Sequence, residues 1–312
     1  MFSKYLDPKN DLAFKKIFGE EKHKNIPISF LNAALHLEKE DQILDLEFIN
    51  TVQPPAIQCQ KESIVDVLVK DQKGNRYIVE MQVSKTPGFE KRAQYYAAKT
   101  YSSSLNEGAP YRHLKEIVFL AITSYIVFPN KPDYKSEHVI LDKKTYEQDL
   151  KDFSFTFVEL PKFTKKEEEL KTIEDQWYYF FKHAKESNQI IPALASTAEI
   201  CDAYDIVERF SWTEQELRSY DNNMMALMDA RSRFEGAREE GLEEGLKKGL
   251  EEGLKKGLEE GLKKGLEEGL QKGREEERKK LIQSLLAQNF PLATISEMTG
   301  CTEKELAPTQ YR

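Results

Sequence analysis

Apolar positions recur at helical spacing over the first forty residues. Phe14, Ile17 and Phe18 follow the Asp7-Pro-Lys-Asn-Asp11 start, and residues 26–37 form a second periodic stretch with Pro27 tolerable in its first turn. From Ile43 the period changes. Residues 43–52, 63–70, 76–84 and 117–123 are rich in β-branched or aromatic side chains and are bounded by Pro, Gly or Asn, which predicts strands. Between the third and fourth, residues 89–105 carry Ala93, Tyr96, Ala97 and Tyr101 on one helical stripe. Residues 138–141 and 153–160 read as two further strands. The order helix, three strands, helix, strand predicts an α/β sandwich core.

After Pro161 the pattern is helical and stays so. Thr172–Asp175 is a helix start before an aromatic run, and Thr213-x-x-Glu216 has the form of a capping box. From Gly241 to Gly273 the chain becomes an array of tetrads, Gly-Leu-Glu-Glu alternating with Gly-Leu-Lys-Lys, with nine glycines four residues apart. A four-residue step turns about 400° on an α-helix, so successive leucines drift by about 40° around the axis. Over eight leucines the stripe walks about 280°, and only right-handed supercoiling follows such a period. Each glycine costs about 1 kcal/mol against alanine, while each i,i+4 Glu–Lys pair returns only about 0.2–0.5 kcal/mol. The balance predicts a marginal helix or flexible spacer, with an oligomerising coil as the alternative. Beyond it, residues 280–287 and 292–298 read as short helices around Asn289-Phe290-Pro291, with a third stub at 303–306. That spacing fits a helix-turn-helix or a small helical cap. Three segments result: 1–235 as the α/β domain with its helical extension, 236–280 as the array, and 281–312 as the small helical end.

Composition sharpens this division. Residues 236–280 hold 25 of the 100 charged residues and 10 of the 15 glycines in the 312-residue chain, so the charge excess is local and the remainder is ordinary globular sequence. Cys59, Cys201 and Cys301 lie far apart, which argues against a disulfide framework, and the five histidines lack zinc-ligand spacing. The longest apolar run falls well short of the ~20 residues of a membrane span. A soluble, cytoplasmic protein with no membrane partner is expected. The net charge of −8 argues against a generally basic nucleic-acid coat but leaves room for a local basic groove.

The chemistry concentrates in Ser63-Ile-Val-Asp-Val-Leu-Val-Lys70 and Arg76-Tyr-Ile-Val-Glu-Met-Gln-Val-Ser84. Asp71-Gln-Lys-Gly-Asn75 between them is a good hairpin connection, with Gly74 free to take positive φ. A hairpin centred on Lys73 pairs Val65 with Met81, Val67 with Val79 and Val69 with Tyr77 on one apolar face. On the other face Leu68 meets Ile78, and Asp66 meets Glu80. Like charges directly opposite each other destabilise a sheet, and carboxylates flanked by apolar residues do not both stay ionised without a cation. A hard divalent ion removes the conflict. The bland alternative is a solvated sheet face; Ile64, Leu68 and Ile78 on that face argue against it. Gln82 falls on the same face as Glu80.

Asp66, thirteen residues, then Glu80-Met-Gln82 on paired strands resembles the PD-(D/E)XK nuclease superfamily. More closely, the chain resembles the bacterial recombination-promoting nucleases, also described as transposases. The likeness runs through Leu6-Asp-Pro-Lys-Asn-Asp-Leu-Ala-Phe-Lys-Lys-Ile-Phe18, Val79-Glu-Met-Gln82, Phe89-x-x-Arg92-x-x-Tyr95-Tyr96, Glu159-Leu-Pro-Lys-Phe163, the Phe210-Ser-Trp-Thr213 region and the charged array. It implies a mixed sheet flanked by helices with a helical C-terminal extension, and metal-dependent endonucleolytic cleavage of DNA in recombination, mobile-element or defence processes. By that resemblance Asp66 and Glu80 hold Mg²⁺, with Mn²⁺ a substitute, and Gln82 positions the attacking water where the superfamily usually has lysine. Asp11 is a candidate third metal carboxylate, against a helix-cap reading. Lys91 and Arg92 are candidate phosphate contacts, against plain surface charge. Tyr95, Tyr96 and Tyr101 suit either base stacking or core. Lys85 is a possible replacement for the missing lysine, though its offset from Glu80 puts it on the other face. The rival functions are a catalytically degenerate DNA-binding or assembly protein and a nuclease acting on RNA. The helical tail is the expected route to a homo-oligomer or to further DNA contact.

Overall fold

The computed structural model describes residues 3–53, 63–105, 108–302 and 306. They divide into two units, Met1–Ser232 and Arg233–Arg312. Cys59, and all of the third C-terminal stub except Leu306, lie outside the described residues.

In the first unit the strand-forming segments assemble one six-stranded sheet. In chain order its strands are β1 (Leu46–Phe48), β4 (Val67–Asp71), β5 (Arg76–Gln82), β6 (Ile117–Thr123), β7 (Lys135–Val139) and β8 (Phe153–Glu159). A separate two-residue ladder pairs β2 (Val52–Gln53) with β3 (Ser63–Ile64). Across the main sheet the order is β1-β4-β5-β6-β8-β7. The β5–β6 and β6–β8 pairs are parallel, and the β1–β4, β4–β5 and β7–β8 pairs are antiparallel, so the sheet is mixed.

The β4–β5 hairpin has the register its sequence predicts: Val67 faces Val79, Leu68 faces Ile78 and Val69 faces Tyr77. Its turn is fixed by Asp71, whose Oδ1 accepts from the Lys73 and Asn75 amides at 2.8 and 2.9 Å. Gly74 takes φ +88° there, a conformation that costs a side-chain-bearing residue. One expectation fails. Val65 packs with Leu68 and Ile78 rather than with Val67 and Val69. The chain bends at Asp66 where β4 begins, so the alternation of faces slips by one residue.

Helices cover both faces of the sheet. Val67, Val69, Tyr77, Val79, Met81, Leu120 and Ile122 pack in one core with α1 (Asp11–Phe18), α2 (Asn25–Ala34), α4 (Ile173–His183) and α6 (Ala198–Val207). There Phe18, Phe30, Trp177 and Phe181 form an aromatic cluster with ring centroids 5.3–6.4 Å apart. On the opposite face Leu68, Ile78, Phe119 and Phe157 pack against Phe89, Ala93 and Ala97 of α3 (Phe89–Ser102). That helix is the crossover between parallel strands β5 and β6. Helix starts are capped: Asn10 accepts from the Leu12 and Ala13 amides, and Thr172, at the expected helix start, forms a capping box with Asp175. A short helix α5 (Pro192–Ala195) precedes α6.

The geometry at the end of β8 gives the Glu159-Leu-Pro-Lys162 run a structural role. Glu159 is fully buried. Its Oε1 accepts from the Val127 and Phe128 amides at 2.6 and 2.9 Å, and its Oε2 pairs with Lys162 Nζ at 2.6 Å. Lys162 also donates to the Phe128 and Lys131 carbonyls. The ion pair thus staples the segment that leaves β6.

Helix α7 (Glu214–Ala287) runs for 74 residues and includes the whole tetrad array. The array is therefore helical despite its glycines. Its start is fixed by the Thr213–Glu216 capping box, and pairs such as Glu244–Lys248 at 2.6 Å support the repeat. All eight array leucines are exposed. In the second unit the end of α7 and α8 (Leu292–Thr299) share a small core of Ile282, Leu285, Ile295 and Leu306. Among the described residues no helix is long and apolar enough to cross a membrane.

Candidate active site

The bend at Asp66 and the last residues of β5 bring the two predicted carboxylates together. Oδ2 of Asp66 accepts from the Met81 amide at 2.8 Å, and the Asp66 amide donates to Oε1 of Glu80 at 3.3 Å. Each acid therefore reaches across the hairpin to the other's neighbourhood. Glu80 is buried, with 3% of its surface exposed, between the sheet and α3.

Burial sets the electrostatics. It raises Asp66 well above the usual carboxylate range; the Met81 amide opposes this, the Asp11 charge adds to it, and Lys15 and Arg92 oppose it. Glu80 is raised further, first by burial and then by the Asp66 charge, against the pull of Arg92 and its own hydrogen bonds. A buried carboxyl raised by the charge of its half-buried neighbour forms a site in which a divalent cation would lower the free energy.

Gln82 is placed by the same strand alternation, and both ends of its amide are engaged. Nε2 donates to Oε2 of Glu80 at 3.0 Å, and Oε1 accepts from Nη2 of Arg92 at 2.7 Å. Arg92 comes from the first turns of α3 and lies over the Phe89 ring, with its Cζ 5.1 Å from the centroid. Its Nε is buried without a protein partner. The α3 stripe also brings Tyr96 close enough for burial and the Glu80 charge to raise its phenol.

The other candidates separate. Lys91, next to Arg92, is exposed, as is Lys85 in the connection from β5 to α3. Tyr95 is largely exposed, whereas Tyr101 packs on Phe153 at 4.8 Å and bonds Asp152. Asp11 is the first residue of α1 rather than its cap, a role taken by Asn10. Its carboxylate pairs with Lys15 at 2.7 Å. Lys15 Nζ also stands 4.0 Å from Oδ1 of Asp66. This lysine lay inside the Phe14-Lys-Lys-Ile-Phe18 motif but received no role from the sequence; its i,i+4 spacing from Asp11 was the available signal.

The donors fit a hard cation. Both are carboxylates, and Asp66 Oδ1 faces the half-exposed Lys15 head. Among the described residues no group of three or more His, Cys, Asp or Glu is arranged to hold a metal. An ion here would rest on two carboxylates, with water and phosphate oxygens completing its shell, a common arrangement for Mg²⁺.

Neither a curated protein nor a solved structure matches the chain. A family model described as PD-(D/E)XK nuclease family transposase matches residues 8–237, which takes in the whole sheet, both carboxylates and α3, and the chain belongs to that family.

Proposed function

We propose that the protein is a divalent-metal-dependent endonuclease that hydrolyses phosphodiester bonds in DNA. The observation that carries this reading is the pairing of half-buried Asp66 with buried Glu80 at the β4–β5 hairpin, a juxtaposition of carboxylates that a bound cation would relieve. Asp66 and Glu80 would hold Mg²⁺ or Mn²⁺. Such an ion, when bound, polarises a phosphoryl oxygen and lowers the pKa of water.

The residues of this chain do the positioning. Glu80 is aimed by the Gln82 amide, Gln82 by Arg92, and Asp66 by the Met81 amide. Gln82 in this arrangement orients Glu80 first, and through it the water that attacks. In the hydrolysis the water oxygen bonds to phosphorus as the bond to the leaving sugar oxygen breaks. The attacking water loses one proton to solvent, and the leaving oxygen takes one up. Exposed Lys91 is a candidate contact for DNA flanking the cleaved bond. Recombination, mobile-element and defence settings all suit this chemistry.

The test is conversion of supercoiled plasmid to nicked or linear form with Mg²⁺, Mn²⁺ or EDTA, in wild type, Asp66→Ala and Glu80→Ala. Metal-dependent cleavage lost in both variants supports the assignment. No cleavage with any metal favours a DNA-binding or assembly protein with a silent site. Cleavage of RNA but not of DNA would move the substrate.

A further inference from the structure

We propose that Lys15 is the cationic residue of this site, delivered by α1, and that its ammonium group grips a non-bridging oxygen of the scissile phosphate beside Asp66. The inference rests on the nuclease reading and adds the group that would meet the substrate's charge.

Three observations carry it. First, the side chains beside Glu80 are turned to the protein: Gln82 is neutral and bonded at both ends, and Arg92 gives Nη2 to Gln82 while its Nε is buried. Second, Lys15 Nζ lies 4.0 Å from Oδ1 of Asp66, the oxygen not used by the Met81 amide. That distance is too long for a hydrogen bond and short enough for a phosphate oxygen at the same carboxylate to meet the ammonium. Third, the side chain is 38% exposed while its head is tethered to Asp11 at 2.7 Å. An ammonium has three protons, and Asp11 occupies one of them.

The neighbouring lysine gives the contrast. Lys16 turns away to pair with Glu216 at 2.6 Å and to stack on Trp212 at 4.3 Å, so its charge is used to dock α7. Asp11 and Lys15 are one helical turn apart on a single face of α1, and that face is turned to Asp66. Asp11 then acts as a positioning residue for the Lys15 head.

Two readouts test this on the full chain, with Asp66→Ala as control. In plasmid cleavage with Mg²⁺, Lys15→Gln should lose about 10²–10³-fold, as removal of one preorganised charge-stabilising donor does. Lys15→Arg should retain more, and melting should be unchanged, because the Asp11 pair is exposed. In calorimetric titration with Ca²⁺ and no DNA, Lys15→Gln should bind about threefold more tightly than wild type, because a competing positive charge has gone from beside Asp66. Wild type and Lys15→Gln cleaving equally would overturn the inference and leave the nuclease reading standing. If wild type does not cleave, that reading falls, and Ca²⁺ affinity that does not rise in Lys15→Gln then overturns the placement of Lys15 as well.

Discussion

Arg92 and Gln82 are joined at 2.7 Å, guanidinium to amide oxygen, and this single contact ties the first turns of α3 to the last residue of β5. Through the same amide it reaches Oε2 of Glu80. The arrangement lets a helix on one face of the sheet set the direction of a carboxylate at its end. It also gives a physical sense to glutamine at position 82: an amide can accept from Arg92 and donate to Glu80 at once, whereas a lysine can only donate.

Breaking that relay should loosen the site without unfolding it. Arg92→Ala and Gln82→Ala are each expected to lower divalent-metal affinity and cleavage by about 10–100-fold, the usual cost of losing an outer partner of a metal ligand. The double variant should cost little more than either single one, because both act through Glu80. Titration with Mn²⁺ and plasmid cleavage measure the two effects; additive losses would mean that Arg92 acts independently.

The raised carboxylates predict a pH dependence with a definite sign. Asp66 and Glu80 both sit above their unfolded values because of burial. Their contribution to stability is therefore complete below the ordinary carboxylate range and is lost as pH rises through the raised folded values. In EDTA the melting temperature should fall across that window. Asp66→Asn with Glu80→Gln should flatten the profile, and Mg²⁺ should restore stability to wild type at the upper end through linkage. A wild-type profile in EDTA that matches the double variant would remove the electrostatic conflict on which the metal assignment depends.

Much of this site was legible in the sequence because it depends on local arithmetic. A two-residue period and a five-residue turn are enough to pair Val67 with Val79 and to bring Asp66 beside Glu80. What was not legible depends on tertiary placement. The bend at Asp66 sends Val65 to the other core, and no alternation rule signals it. The Gln82–Arg92 contact and the approach of Lys15 require knowing how α3 and α1 pack on the sheet. The array was only partly legible: summing glycine penalties against pair energies leaves a marginal helix and a flexible spacer both open, and residues 241–273 lie inside one long helix with a capped start and pairs such as Glu244–Lys248.

Glu159 gives a prediction about stability alone. Its carboxylate satisfies two amides and the Lys162 head in full burial. Glu159→Ala would leave the ammonium without its counter-charge, and removal of one partner of a buried pair costs about 3–5 kcal/mol. Chemical denaturation should show that loss. Glu159→Gln keeps hydrogen-bonding oxygen for the amides, so it should cost less. Equal losses in the two variants would place the effect in packing rather than in charge.

The glycines of the array make the last prediction. A Cβ built on Gly249, Gly257 or Gly265 meets nothing within 4 Å, so these glycines are not required by close contact within the chain. Replacing the three with alanine should strengthen α7 by about 1 kcal/mol per site, visible as a higher melting temperature of the helical circular dichroism signal. Light scattering on the same variant separates two roles for the array. A spacer gains helicity and keeps its molecular mass. A coil in which helices of separate copies approach at the glycines would instead lose mass, because each added methyl group would fill the contact surface.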